Sequence, residues 1–374
     1  MSEMEYRVLG KTGLKTSVLG FGGFHLLEIP LKEAEYLLGA YLDAGGSYIE
    51  TAASYGDGES ERKIGRSVMH RRDDFVLVSK TMERGKAEAA AEIDRTLRNL
   101  NTGYLDMLLM HAVGTIDELD RLLAEDGAYA AAVEAKKAGK VGHIGISMHG
   151  WAGALIEAVK RDRFEAVMAT INYYDRFNFP EIEGELLPLA NEKGLGMILM
   201  KPVGDGWLYQ SAEQAFRYAF TRPVSVVVAG INNRQMLKAD LKFAESYQPM
   251  SKADEEALFM TARELGDYVC RQCGKCSCPR GVDIQEIFAA EGYFDRQMMR
   301  GTVQDTAEYS MMERLRFWFG NKELGKARYD RLGKNKKADV CNQCGECIPM
   351  CPYGINIPYK LGLADYKLAD KEWY

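Results

Sequence analysis

LKEAEYLLGAYLDAGGSYIETA (31–52) contains one full repeat of the pattern that decides the fold. Over residues 31–46, Ala34, Leu37, Leu38, Tyr41 and Leu42 fall on one helical face. Gly45 and Gly46 end that helix. One serine later the spacing changes, and YIETA (48–52) reads as a short strand. The same alternation runs outward in both directions. Short apolar runs stand at 17–23, 48–52, 75–81, 105–111, 143–148, 166–172, 196–202 and 224–230, with helical patterns between them. Eight strand–helix units in this length fit a (β/α)8 barrel. A doubly wound open sheet is the alternative, but the G-x-G-x-x-G that usually follows its first strand is absent.

All eight cysteines lie beyond this region, in two runs. The first is Cys270, Cys273, Cys276 and Cys278, then Pro279; the second is Cys341, Cys344, Cys347 and Cys351, then Pro352. The second run reads C-x2-C-x2-C-x3-C-P, the bacterial 4Fe–4S spacing, in which the fourth cysteine reaches a neighbouring cluster. Two runs imply two clusters that exchange their fourth ligands. The first run has one residue between its last two cysteines, a gap that is free to vary only if Cys278 serves the other cluster. Zinc held by two C-x2-C pairs is the rival, and it leaves four cysteines idle. A disulfide framework needs an oxidising compartment. CPRGVDI (278–284) and CPYGINI (351–357) repeat one another, which makes the module a pseudo-twofold pair. The fold class expected is therefore α/β: a TIM barrel over 1–247, then a small, mostly helical ferredoxin-like iron–sulfur domain over 248–374.

The totals set limits. With 374 residues, 47% hydrophobic and 27% charged, the chain reads as globular. A net charge of −6 disfavours general nucleic-acid binding. No apolar stretch is long enough to suggest a membrane span. MSEMEYRVLG at the start lacks the pattern of a secretory signal, so a cytoplasmic location is expected. Lys334, Lys336 and Lys337 form one basic knot, read as a solvated loop or as a docking point for an acidic partner.

Barrel enzymes carry their reactive groups at the carboxyl ends of the strands. Those ends hold Glu50, Lys80 and His111, with Tyr55 in the loop after Glu50. A phenol titrates near ~10 in water, too weak an acid for neutral pH. An ammonium beside it favours the phenolate, and a carboxylate keeps that ammonium charged. A histidine can orient a carbonyl oxygen or relay the proton. The set suits protonation of an oxygen while hydride reaches the adjoining carbon.

YIETAASYGDGESERKIGRSV (48–68) resembles the aldo-keto reductase signature, and FVLVSKT, LDMLLMH and GKVGHIGISMH (139–149) resemble its next blocks. The likeness runs from about residue 4 to 245, and with the cysteine runs the chain resembles the ferredoxin-domain-bearing branch of that family. The resemblance implies a barrel that binds NADPH and reduces aldehydes or ketones. It implies Tyr55 as proton donor, Lys80 lowering its pKa, Glu50 pairing with Lys80, and His111 orienting the carbonyl. It further implies Gly22 and Gly23 beside the nicotinamide ribose and Ser147 and Asn172 beside the nicotinamide. Gly230, Ile231 and Asn232 would cradle phosphate at a helix start. Arg234, with Lys238, would meet a 2′-phosphate; NADH is the alternative cofactor. Three positions depart from the family pattern: Glu50 replaces an aspartate, Met148 an asparagine and Met168 a glutamine.

Three functions remain open on these residues. The chain is a carbonyl reductase with a small-molecule carbonyl substrate, its clusters structural or sensory. Alternatively it passes electrons through its clusters to or from a protein partner, such as a flavoprotein. In the third reading the barrel has lost catalysis and the protein is an assembly or electron-carrier subunit.

Overall fold

The computed structural model of the protein describes residues 4–298 and 306–371. A two-stranded antiparallel hairpin comes first, β1 (Tyr6–Val8) and β2 (Lys15–Ser17). Its strands are too short for alternation to reveal them in the sequence. Eight parallel strands then close into a barrel: β3 (Leu19–Gly22), β4 (Tyr48–Glu50), β5 (Val76–Thr81), β6 (Leu105–Met110), β7 (Val141–Met148), β8 (Ala166–Thr170), β9 (Gly196–Met200) and β10 (Val226–Gly230). Each overlaps one of the apolar runs. Closure comes from β10, which pairs with β9 on one side and with β3 on the other, Gly230 facing Gly22. The open-sheet alternative is thereby excluded.

Period two decides which side chains fill the barrel. Tyr48, Val76, Val78, Met107, Leu109, Ala166, Met168, Ile198, Met200, Val226 and Val228 form its packed centre. Met168 is therefore a core residue, and burying a side chain of that kind contributes about 1.5–3 kcal/mol. Glu50 stands two residues after Tyr48, and Lys80 two after Val78. The strand parity that buries Tyr48 and Val78 thus carries both charged groups over the centre at its carboxyl rim.

The helices are α1 (Leu31–Asp43), α2 (Glu59–Ser67), α3 (Lys86–Leu100), α4 (Ile116–Leu123), α5 (Ala128–Lys137), α6 (Gly153–Lys160), α7 (Leu187–Glu192), α8 (Ala212–Thr221), α9 (Arg234–Ser246), α10 (Lys252–Thr261), α11 (Ile284–Asp295), α12 (Thr306–Leu315), α13 (Lys322–Asp330) and α14 (Ile357–Leu368). On α1, Ala34, Leu37, Leu38, Tyr41 and Leu42 are all buried, the face expected from their spacing. Ser251 and Asp254 form the reciprocal cap that opens α10.

Contacts divide the chain into two units. One holds the described residues up to 171, together with 181–202 and 216–249; the other holds 172–180, 203–215 and the described residues from 250 onward. The expected boundary lay at 247, and the two short inserts, 172–180 and 203–215, carry no sequence signal of their own. The second unit contains no strand among its described residues. Its core joins Val282, Ile284, Ile287, Phe288, Phe294, Ile355, Ile357 and Leu361. Arg296 and Asp175, both fully buried, form a two-pronged ion pair at 2.8 Å through each nitrogen. The pairing spans 121 positions, which spacing alone could not reveal.

The internal repeat is a repeat of backbone as well as of sequence. Gln272 and Gln343 have φ of 52° and 60°, Gly274 and Gly345 75° and 79°, and Gly281 and Gly354 83° and 71°. Left-handed backbone at a glutamine is uncommon, and its recurrence at matched positions marks one loop used twice. Each loop then feeds a capped helix. The Asp283 side chain accepts from the Glu286 N–H to open α11, and the Asn356 side chain from the Tyr359 N–H to open α14.

Candidate active site and cysteine loops

Lys80 is the centre of the rim cluster. Its Nζ lies 2.5 Å from a Glu50 carboxylate oxygen and donates to the Tyr55 hydroxyl at 3.2 Å and to the Thr51 carbonyl at 2.9 Å. The side chain is 2% exposed. The extra methylene of Glu50 thus does not break the ion pair. Burial opposes the Lys80 charge, but Glu50 and Tyr55 outweigh it and hold the ammonium above the ordinary lysine range. Tyr55 departs from expectation. Burial raises it above the usual phenol value; Lys80 pulls the other way and loses, while Glu50 adds to the rise. The hydroxyl is therefore firmly protonated.

His111 turns its ring edge-on to Tyr55, with centroids 5.8 Å apart. Burial, then the Lys80 ammonium, His149 and Arg84, push it down to about 2. It is a neutral imidazole at neutral pH, able to donate one N–H but not to act as an imidazolium acid. Its backbone N–H donates to the Thr81 carbonyl, and Arg84 clamps its carbonyl at 2.9 Å. His149 is likewise depressed to about 3 by burial and by Lys201 and Lys80. Sequence reading left two contributors out. Phe24 packs edge-on against the Tyr55 ring at 5.1 Å, and the Ser54 hydroxyl lies 3.5 Å from His111 Nδ1. The signal for both was adjacency: Phe24 follows Gly22–Gly23 and Ser54 precedes Tyr55. A separate cavity of about 680 Å³, among Arg7, Arg222 and Tyr247, shares no residue with this set.

The expected cofactor residues divide into groups. Gly22 ends β3, and a Cβ on Gly23 would come within 2.7 Å of the Glu50 carbonyl and 2.8 Å of Ser60 Oγ. Gly23 is thus required for packing beneath Glu50, whatever lies above it. Ser147 Oγ lies 3.3 Å from the Met110 carbonyl and 3.4 Å from the Ala112 N–H. Gly230, Ile231 and Asn232 lead into α9, whose cap is Asn233, accepting from the Met236 N–H at 2.9 Å. Asn232 donates to Glu28 at 2.7 Å. Arg234 holds Glu33 with two bonds of 2.9 Å and stacks on Tyr36. Asn172 belongs to the second unit, where its Oδ1 accepts from the Tyr174 and Asp175 N–H groups and its amide donates to Asp175.

The cysteines sort into two sets that cross the repeat. Cys270, Cys273, Cys276 and Cys351 line one cavity with Phe288, Ile355 and Ile357. Cys347 lies within electrostatic reach of Cys341, Cys344 and Cys278. Burial pushes the Cys276 thiol up to about 11 and raises Cys270 and Cys347. Among the described residues no group of three or more His, Cys, Asp or Glu side chains is close enough to hold a metal ion. The first set shares one cavity wall. The donors are all sulfur, which suits soft metals and iron–sulfur sites.

The chain is thus an eight-stranded parallel barrel with a lysine against a rim tyrosine. The chain belongs to the Aldo/keto reductase family, whose profile matches residues 18–255. It is 28% identical over 218 residues to an uncharacterized oxidoreductase of Bacillus subtilis, YqkF, covering 55% of this chain and 67% of that one. An aldo-keto reductase from Bacillus halodurans, in its holo form, superposes with a TM-score of 0.59 at 24% identity, over 68% of this chain and 95% of that one. An aldo-keto reductase from Klebsiella pneumoniae, solved in complex with NADPH, gives 0.57 at 21% identity, over 69% and 94%. The family match ends before the first cysteine. Among the described residues no helix is long and apolar enough to cross a membrane.

Proposed function

We propose that this oxidoreductase reduces an aldehyde or ketone with NADPH, with Tyr55 as the proton donor. The observation that carries the reading is Lys80 Nζ, 3.2 Å from the Tyr55 hydroxyl and 2.5 Å from Glu50. NADPH, when bound, supplies the hydride. Gly230, Ile231 and the start of α9 would hold its phosphates, and Ser147 would face its nicotinamide. The raised phenol suits this chemistry. Tyr55 stays protonated until an alkoxide develops, and an alkoxide is a far stronger base than a phenolate. The proton then leaves Tyr55, and the Lys80 ammonium stabilises the phenolate that remains. Glu50 keeps Lys80 charged, and neutral His111 donates its N–H to the substrate oxygen.

Each cysteine set would hold one 4Fe–4S centre: Cys270, Cys273, Cys276 with Cys351, and Cys341, Cys344, Cys347 with Cys278. The all-sulfur donor sets and the duplicated loops support this. Such a centre, when bound, supplies one-electron transfer. The intact rim cluster favours the enzymatic reading over an electron-transfer subunit with an idle barrel. The test is NADPH oxidation against a panel of aldehydes and ketones. Tyr55→Phe is expected to lower kcat by about 10²–10⁴-fold while nicotinamide binding, read by fluorescence, persists. An undiminished kcat in that variant rules Tyr55 out as the donor.

A further inference from the structure

The two cysteine sets are built on one backbone but not on one set of charges. Matching CPRGVDIQEI (278–287) to CPYGINIPYK (351–360) pairs Ile287 with Lys360, and matching CRQCG (270–274) to CNQCG (341–345) pairs Arg271 with Asn342. In both pairs the cation falls beside the same set. Arg271 is 5% exposed and lines the cavity of Cys270, Cys273, Cys276 and Cys351. Its nitrogens donate to four backbone carbonyls, those of Phe259, Leu265, Gly266 and Val269, and its plane stacks on Tyr353. No carboxylate is among those acceptors.

Lys360 is 1% exposed. Its Nζ donates to the Tyr268 carbonyl and to Gln297 Oε1 at 2.6 Å, and the same Gln297 oxygen accepts the Cys270 backbone N–H at 2.9 Å. One amide oxygen therefore joins the ammonium to the first ligand of the set. The carboxylate beside Lys360, Glu291 at 3.1 Å, is shared with Lys367, which also pairs with Asp295 at 2.8 Å; of these four groups it is Lys360 whose charge reaches Cys270. At the other set the counterparts are neutral: Ile287 is fully buried and Asn342 is exposed. Lys334, Lys336 and Lys337, just before that set, lie at the surface or half-buried.

Buried positive charge stabilises the reduced, more negative state of a nearby redox centre, and solvent screens it little. Resting on the reading of the cysteines as two 4Fe–4S sites, we propose that Arg271 and Lys360 make the Cys270–Cys273–Cys276–Cys351 centre the higher in potential. The first electron admitted to the chain settles there, and the second reduces the Cys341–Cys344–Cys347–Cys278 centre. Arg271 and Lys360 are positioning charges, since neither supplies a ligand.

The test is a potentiometric titration of the full-length protein, followed by paramagnetic resonance, with iron and acid-labile sulfide measured first. Wild type is expected to show two separated one-electron steps. Lys360→Met and Arg271→Gln should each lower the upper step and leave the lower one in place, while Arg271→Lys, which keeps the charge, should retain the wild-type value. Lys336→Gln should move neither. Where Arg271→Gln loses iron, Lys360→Met decides alone. Two steps that coincide in wild type, or an upper step unmoved in Lys360→Met, overturn the asymmetry and leave the clusters standing. A wild-type chain without iron and sulfide overturns the cluster reading itself, and the asymmetry with it.

Discussion

At the scale of single residues, the rim is a contest between burial and pairing. Lys80 wins its contest because Glu50 and Tyr55 both favour its charge, whereas Tyr55 loses to burial despite Lys80. Glu50→Gln would leave a buried ammonium without its counterion. The expected cost is about 3–5 kcal/mol of stability, read as a lower midpoint in denaturant, together with a fall in kcat. A variant as stable as wild type would show that the pair is not what holds Lys80 in place. The identities of Glu50, Tyr55, Lys80 and His111 were legible because strand ends can be read from apolar runs. The protonation of Tyr55 and His111 was not, since it depends on depth beneath the surface. Phe24 and Ser54 were missed for a similar reason: neither residue type announces chemistry.

Among the elements, α9 carries an unexpected load. Asp240 on that helix is 7% exposed, and burial alone lifts its carboxyl from 3.8 to about 8. A group whose folded value is raised holds its proton more tightly in the native state. Its contribution is complete below about pH 4 and is lost as pH climbs toward 8. Asp240→Asn should therefore gain on wild type as pH rises from 4 to 8, reaching roughly 1–3 kcal/mol at the top. Thermal melts across that range read the difference; a gap that stays flat with pH refutes it. The strands were plain in the sequence because each is a short, nearly continuous apolar run, buried along its length as parallel strands covered on both faces are. The β1–β2 hairpin lacked the length to show such a run. The cap of α9 at Asn233 was one residue past the expected Gly230–Asn232 loop, an ordinary uncertainty at helix ends.

For the whole molecule, the sequence suggests a simple division that the contacts redraw. Composition changes near 247, and all the cysteines follow it. Yet the second unit also owns 172–180 and 203–215, which supply Asp175 to Arg296, and Tyr173 and Ser211 to Glu264. Such partners, distant in sequence, leave no local trace, so the inserts could not be foreseen. A fragment of residues 248–374 is expected not to fold, because Arg296 would be buried without Asp175. Sharp amide resonances from that fragment alone, with iron supplied, would contradict this.

The same ownership bears on how the protein is made. Residues 172–180 and 203–215 leave the ribosome well before Arg296 and Glu264, and β10 must emerge before the barrel can close on β3. Two stretches of the nascent chain are then held in waiting, their acid and hydroxyl groups still hydrated, until the cysteine-bearing tail arrives. The second unit can therefore complete its core only after residues 264–296 have emerged, later than every strand of the barrel.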